Sequence, residues 1–430
     1  MASALSSLFS EAGQLANREE PVISRLMKDA LETEGLISLA AGFTDNSLLP
    51  DREVLAAAEK LASEQPDRNW LQYGTSLGRP GLRQAVIEHL RGFYGETGLN
   101  IDPRNCLISN GSQQSLYLTV QLLCNPGDRV LVEAPSYFVF LELLSGLGVE
   151  AVSIPTLANG RWDIPALAQL LEQWDSNGQI ESLKLLYFMG TYSNPSSRSV
   201  PEADKVALAE LLRRRERPLP VIEDMAYREL YFDKPWPARS CLSLESWQGM
   251  PVLYAGTFTK PLATGLKTGF AVSHNHDWIQ ALARIKGHQD FGTANFCQAL
   301  VEILLRDGFY SKYLENTRPV YKAKMDHMSA ALEASNIRTQ GWSWQRPEGG
   351  LLMWLDGPSD ADTRIGSSIW QKCLQNKVLY VPGDLCFAGS NPPRNTLRLS
   401  FGAIAMDDIP EGIRRLGTAL SRSQNSSLYT

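Results

Sequence analysis

Short apolar runs, closed by Gly, Pro, Asn, Asp or Ser, recur along this chain and alternate with stretches of helical spacing. Cys106–Ser109, Arg129–Val132, Lys184–Met189, Val252–Ala255 and the run from Leu219 to the acids Glu223 and Asp224 read as short buried strands. After Asn110-Gly111, the positions of Leu116, Leu118, Val120, Leu122 and Leu123 predict an apolar helix. Ile23, Leu26, Met27 and Ala30 predict a short amphipathic helix over Pro21–Leu31. From about Ala281 to Ala334 the chain is helix-rich and is expected to include a long helix linking two domains. Residues up to roughly Glu19 are small and polar and are expected to be partly disordered, and Ser421–Thr430 form a polar tail without a packing pattern. No internal repeat is present. Strands alternating with helices predict an α/β fold with a mainly parallel sheet.

The chemistry gathers where the run Val252–Ala255 passes into Gly256-Thr257-Phe258-Thr259-Lys260 and a Gly-broken loop holding Gly265, Lys267 and Gly269. A lysine after a strand is ordinarily solvated. Here the chain continues apolar through Pro261, Leu262 and Ala263, which puts the Lys260 amine in a partly dry site. Desolvation lowers a lysine pKa and frees the amine for Schiff-base chemistry. Thr257 and Thr259 have the period-two spacing that turns both hydroxyls to one strand face, where they could hold phosphate oxygens. A lysine with phosphate donors suggests pyridoxal phosphate (PLP), given an acid for its pyridine nitrogen. Asp224, at the carboxyl end of a strand with Tyr227 three residues on, is placed for that; the plainer alternative is a turn or cap acid. Asn110-Gly111-Ser112-Gln113 joins a strand end to a helix start, which offers free N–H groups and a positive dipole end to a phosphate, with Ser112 and Gln113 as donors. Simple N-capping by Ser112 is the alternative.

In this order the motifs resemble the fold-type-I PLP-dependent aminotransferases of class I/II. The resemblance is strongest to the branch that includes 2-aminoadipate and kynurenine aminotransferases and the aminotransferase-like half of MocR regulators, and it runs from about Ile23 to Phe401. It implies that Lys260 carries the cofactor and moves the substrate proton as general base and acid. It further implies that Asp224 keeps the pyridine nitrogen protonated, that Tyr137 stacks on the ring, and that Asn194 and Tyr227 donate to its phenolic oxygen. Leu36–Phe43 is similar to a family segment that passes the substrate carboxylate, with Gly42 permitting close approach. Arg398, in Asn395–Phe401, would fork around that carboxylate, with Asn194 as a further substrate-binding residue; a structural salt bridge is the alternative for Arg398. Tyr73, in Leu71-Gln72-Tyr73-Gly74, would reach the phosphate of a neighbouring subunit, which implies a homodimer with shared active sites. Gln345–Trp354 and Val381-Pro382-Gly383 resemble small-domain motifs.

Two departures stand out. Lys267 replaces the family's phosphate-clamping arginine, keeping the charge but losing the planar fork. Ser196-Ser197 replace Thr-Gly after Asn194-Pro195, and losing that glycine is expected to reshape the turn.

A chain of 430 residues fits one large and one smaller domain. The boundaries expected are 1–45 for an N-terminal arm and helix packing with the small domain, 46–300 for the large PLP-binding domain, 301–420 for a smaller α+β domain and 421–430 for the tail. A net charge of −6 gives no basic footprint for nucleic acid. The six cysteines are scattered without a framework and read as reduced cytosolic thiols. His274-Asn275-His276 lacks further ligand spacing, so no metal site is expected. No apolar run is long enough to span a bilayer, and the N-terminus lacks the order of a signal peptide, so a cytoplasmic protein is expected. The reaction expected moves an amino group between an α-amino acid and a 2-keto acid. The alternatives on the same scaffold are a β-lyase, decarboxylase or oxidase, or a non-catalytic PLP sensor. A sensor of the MocR kind carries a DNA-binding domain ahead of these motifs, whereas only about twenty residues precede Ile23.

Overall fold

The computed structural model describes residues 8–17, 22, 28, 32–65, 67–93, 96 and 99–421. The chain enters through a two-residue strand, β1 (Ile37–Ser38), and builds its largest sheet from β2 (Cys106–Asn110), β3 (Arg129–Val132), β4 (Glu150–Ser153), β5 (Leu183–Met189), β6 (Val221–Asp224), β7 (Val252–Thr257) and β8 (Thr268–Val272). The spatial order is β2-β8-β7-β6-β5-β3-β4. Only β8 runs against the rest. The connection from Thr257 to Thr268 is too short for the crossover that a parallel neighbour needs, so the chain turns straight back. Every residue of β6, β7 and β8 is buried, as strands covered by helices on both faces must be, and this is why they read as unbroken apolar runs.

The register Met189↔Asp224↔Ala255 aligns the carboxyl ends of β5, β6 and β7 on one edge of the sheet. In open α/β sheets ligands gather along that edge. The β2 end and the helix Gly111–Leu123 reach the same edge, since Asn110 pairs with Thr268.

The expected helix-rich region holds His276–Asp290, Asn295–Arg306 and the 26-residue helix Phe309–Ala334. A second, antiparallel sheet follows, made of β9 (Ser343–Trp344), β10 (Leu352–Asp356), β12 (Val381–Pro382) and β13 (Thr396–Ser400), with β11 (Val378–Leu379) just before β12. The N-terminal segment is bound to this region: β1 pairs in parallel with β11, and Ser400 N–H donates to Leu39 O at 2.7 Å.

Two N-terminal expectations fare differently. The first residues are not uniformly irregular, because Glu11–Ala16 forms a short helix whose start is capped by the Ser10 hydroxyl. Leu15 lies over the glycine at 148, an apolar anchor inside a polar stretch. The helix expected over Pro21–Leu31 lies outside the described residues apart from Val22 and Lys28, as does the tail beyond Ser421.

Candidate active site

A cavity of about 310 Å³ opens along the carboxyl edge of the large sheet. Gly42, Ser112, Gln113, Tyr137, Asn194, Asp224, Tyr227, Thr257, Thr259, Lys260, Lys267 and Arg398 all line it. Tyr73 does not: its side chain is 81% exposed, and its ring meets Phe291 with centroids 5.9 Å apart.

Lys260 sits at the turn that ends β7, between buried Phe258 and Leu262. Its Nζ donates to Gly42 O at 2.7 Å, which ties the large sheet to the N-terminal segment. Desolvation, reinforced by the positive charges of Arg398 and Lys267, pulls its pKa down to about 8. A Cβ on Gly42 would meet only Arg398 Nη2, at 3.9 Å, so the glycine is not demanded by protein atoms and the room beside it belongs to the cavity.

Across the cavity, Asp224 ends β6 fully buried, and burial raises its pKa to about 6. Two donors hold its carboxylate: Ala226 N–H at 3.0 Å to Oδ1, and Tyr187 O–H at 3.1 Å to Oδ2. Burial likewise pushes Tyr227 up to about 12, despite the nearby Arg398 charge and its hydrogen bond with Asn194.

The third wall is built for an anion. The helix Gly111–Leu123 starts with no side-chain cap; Asn110, not Ser112, holds the cap position, which removes the N-capping alternative for Ser112. Gly111 has φ +66°, in the left-handed region that favours glycine. A Cβ on Gly269 would fall 2.4 Å from the carbonyl carbon of Gly111 and 2.5 Å from Ser112 N, so only glycine lets β8 lie against the helix start. Thr257 and Thr259 reach the cavity by another route than strand alternation. The strand stops at Thr257, and the chain turns so that Thr259 N–H donates to Thr257 Oγ1 at 3.0 Å. Thr259 Oγ1 is buried and has no hydrogen-bond partner among the described residues. An orphaned hydroxyl, uncapped helix N–H groups and the Lys267 cation converge here, a donor set that fits a phosphate.

The fourth wall comes from the other sheet. Arg398 is fully buried on β13, where its Nη1 donates to Asn194 Oδ1 at 3.0 Å and its Nη2 to Ala40 O. Among the described residues its Nε has no partner. A buried guanidinium without a carboxylate beside it is costly to keep unless an anion completes it. In the turn bearing Asn194, Ser197 stands where the family has glycine and itself takes φ +56°, and its Oγ donates to Leu352 O at 2.7 Å.

Phe43, Phe138, Val139 and Met189 also line the cavity and were not singled out from sequence. Phe138 and Val139 follow Tyr137 directly, in a turn of helix whose other residues are core. Tyr187 was missed too, since its part depends on the β5–β6 register rather than on any local pattern.

The sequence profile described as "Aminotransferase class I and II" matches residues 34–416. The chain belongs to this family. It is 33% identical to a 2-aminoadipate transaminase of Thermus thermophilus, over 96% of this chain and 97% of that one. Among solved structures it is similar to a kynurenine aminotransferase of Pyrococcus horikoshii in complex with PMP, with a TM-score of 0.87, 29% identity and 98% of each chain covered. It is also similar to an α-aminoadipate aminotransferase of Thermus thermophilus complexed with N-(5'-phosphopyridoxyl)-L-leucine, with a TM-score of 0.81, 31% identity and 97% and 98% covered. As a class I and II aminotransferase of fold type I, the protein is PLP-dependent and moves an amino group between an α-amino acid and a 2-keto acid. The cavity's orphaned hydroxyl, uncapped helix start and buried carboxylate fit such a cofactor in their chemistry.

Proposed function

We propose that Lys260 is the catalytic lysine of this transaminase and that Arg398 binds the α-carboxylate of both amino acid and keto acid. The observation that carries this reading is the single cavity in which a lysine amine of lowered pKa faces an incompletely partnered buried arginine. PLP bound there supplies an electron sink for the negative charge that develops at the substrate Cα. Ser112, Gln113, Thr257, Thr259 and Lys267 would hold its phosphate, Asp224 its pyridine nitrogen, Tyr137 its ring face, and Asn194 and Tyr227 its phenolic oxygen.

Lys260 Nζ would take the proton from the substrate Cα as general base and deliver it as general acid to the cofactor carbon that bears the amine in the aminated form, and the opposite half of the cycle would run the same transfer in reverse. A pKa near 8 suits both roles close to neutral pH. Arg398 orients the carboxylate, and the apolar wall of Phe43, Phe138 and Val139 limits water at the reacting carbon.

The protein acts as a homodimer with shared active sites, in which Tyr73 completes the partner's phosphate site. Exposed Leu71, Tyr73 and Phe291 support this, as large apolar side chains left in water on one chain. The chain divides at about residues 45, 300 and 420 as the sequence suggests, and the pairing of β1 with β11 supports an arm that packs with the small domain. Six unpaired cysteines support a reducing, cytoplasmic setting. The relatives name 2-aminoadipate and kynurenine as the first donors to try.

The test is the half-reaction. An amino donor alone should convert the bound cofactor stoichiometrically to its aminated form, with one keto acid released per site. Turnover on the donor alone, with ammonia released, would overturn the assignment of Lys260 and Arg398 to transamination.

A further inference from the structure

Glu133 follows β3 directly, and its N–H donates to Tyr187 O at 3.2 Å, which extends the ladder between β3 and β5. Its side chain is buried. One oxygen, Oε1, accepts from Met189 N–H at 3.0 Å and from Ser193 Oγ–H at 2.9 Å. Met189 is the last residue of β5, and Ser193 immediately precedes Asn194. A single carboxyl oxygen therefore pins both ends of the short turn that delivers Asn194 to the cavity. Within that turn Tyr192 takes a left-handed φ of +46° without being glycine, and its N–H is held by Ser199 Oγ at 2.9 Å, so the Glu133 oxygen adds to a turn whose backbone carries strain. On its far side Asn194 contacts Arg398 at 3.0 Å.

We propose that Glu133 is a positioning residue for substrate carboxylates, acting through Ser193 to fix Asn194 and, through Asn194, the guanidinium plane of Arg398. The inference rests on the assignment of Arg398 to the α-carboxylate. A bidentate arginine–carboxylate pair is geometrically demanding, so a tilt of the guanidinium costs binding even when its charge is kept. Burial, with the nearby Asp224 charge added, pushes the Glu133 pKa up to about 8, so the group is mainly neutral at pH 7. Glutamine, a neutral side chain of the same shape with an acceptor oxygen, is therefore the conservative replacement.

The experiment measures kcat and KM for a donor and an acceptor on the holoenzyme, with inhibition by 4-phenylbutanoate, a carboxylate that cannot react. Glu133→Ala and Ser193→Ala should each raise both KM values and the inhibition constant about tenfold, the equivalent of one lost hydrogen bond, with kcat changed far less. Glu133→Gln should restore binding to near the wild-type value. The double alanine variant should be no weaker than Glu133→Ala alone, because losing Glu133 already cuts the link to Ser193. If Glu133→Ala does not fold, Ser193→Ala carries the test. Alanine variants that lower only the melting temperature, or a glutamine variant as weak as the alanine one, would overturn the proposal. An Arg398→Ala control separates the two levels. Loss of binding there with no effect at Glu133 and Ser193 overturns this inference alone, while no loss at Arg398 overturns the carboxylate assignment beneath it.

Discussion

Arg398 Nη1 and Asn194 Oδ1 meet at 3.0 Å, although one side chain rises from the small antiparallel sheet and the other from the turn after β5 in the large one. The contact joins the two sheets at the place where a substrate carboxylate would lie. Among the described residues Arg398 makes no ion pair there, and its Nε is left without a partner. Arg398→Ala should therefore weaken amino donor and keto acceptor alike, by roughly 1.5–3 kcal/mol, since both present the same carboxylate. Half-reaction affinities measured separately for the two substrates check this; an effect on one alone would place the carboxylate elsewhere.

The amine of Lys260 gives the cofactor-free protein a pH signature. Its pKa is lowered from 10.5 to about 8, so between those values the unfolded chain binds more protons than the folded one. Stability must then rise with pH across that window, relative to a chain lacking the amine. Denaturation of the cofactor-free wild type and of Lys260→Met, compared from pH 7 to pH 10.5, should show the wild type gaining on the variant. A difference flat with pH would mean that the amine is solvated.

Much of this site was legible because its residues follow strand ends, where local pattern and chemistry coincide. Lys260 after β7 and Asp224 at the end of β6 could be read from an apolar run stopping at a polar group. Glu133 obeys the same rule, at the end of β3, yet was passed over in favour of the aromatic Tyr137 beyond it. Tyr187 and the Arg398–Asn194 contact were not legible, because they depend on which strands pair and on how two sheets meet. The antiparallel β8 was hidden by its apolar composition, which matches that of its parallel neighbours. At the position of the lost glycine, Ser197 takes the left-handed conformation and anchors it with its hydroxyl.

Lys267 offers a point charge where a guanidinium could bond two phosphate oxygens at once. Lys267→Arg should tighten PLP by on the order of 1 kcal/mol, because charge is kept and only geometry improves. Lys267 already holds φ +49°, and arginine meets the same backbone cost there, so strain does not cancel the gain. Cofactor titration of the two proteins decides it; equal or weaker affinity in the variant would show that the loop is shaped for lysine.

The exposed ring pair Tyr73 and Phe291, with exposed Leu71 two residues before Tyr73, predicts the face on which two copies would meet. Phe291 is 71% exposed on the single chain. Phe291→Glu should shift sedimentation from dimer toward monomer and lower cofactor retention with it, since each site would lose the partner's Tyr73. A monomeric wild type with full cofactor occupancy would remove both claims.

The central claim is that Lys260 is the residue that holds the cofactor and moves the proton. Borohydride reduction of the loaded protein, followed by peptide mapping, tests it directly. The account predicts one pyridoxyl group per chain, on the peptide containing Lys260, and none in Lys260→Ala. A pyridoxyl group on Lys267 or any other lysine would contradict it.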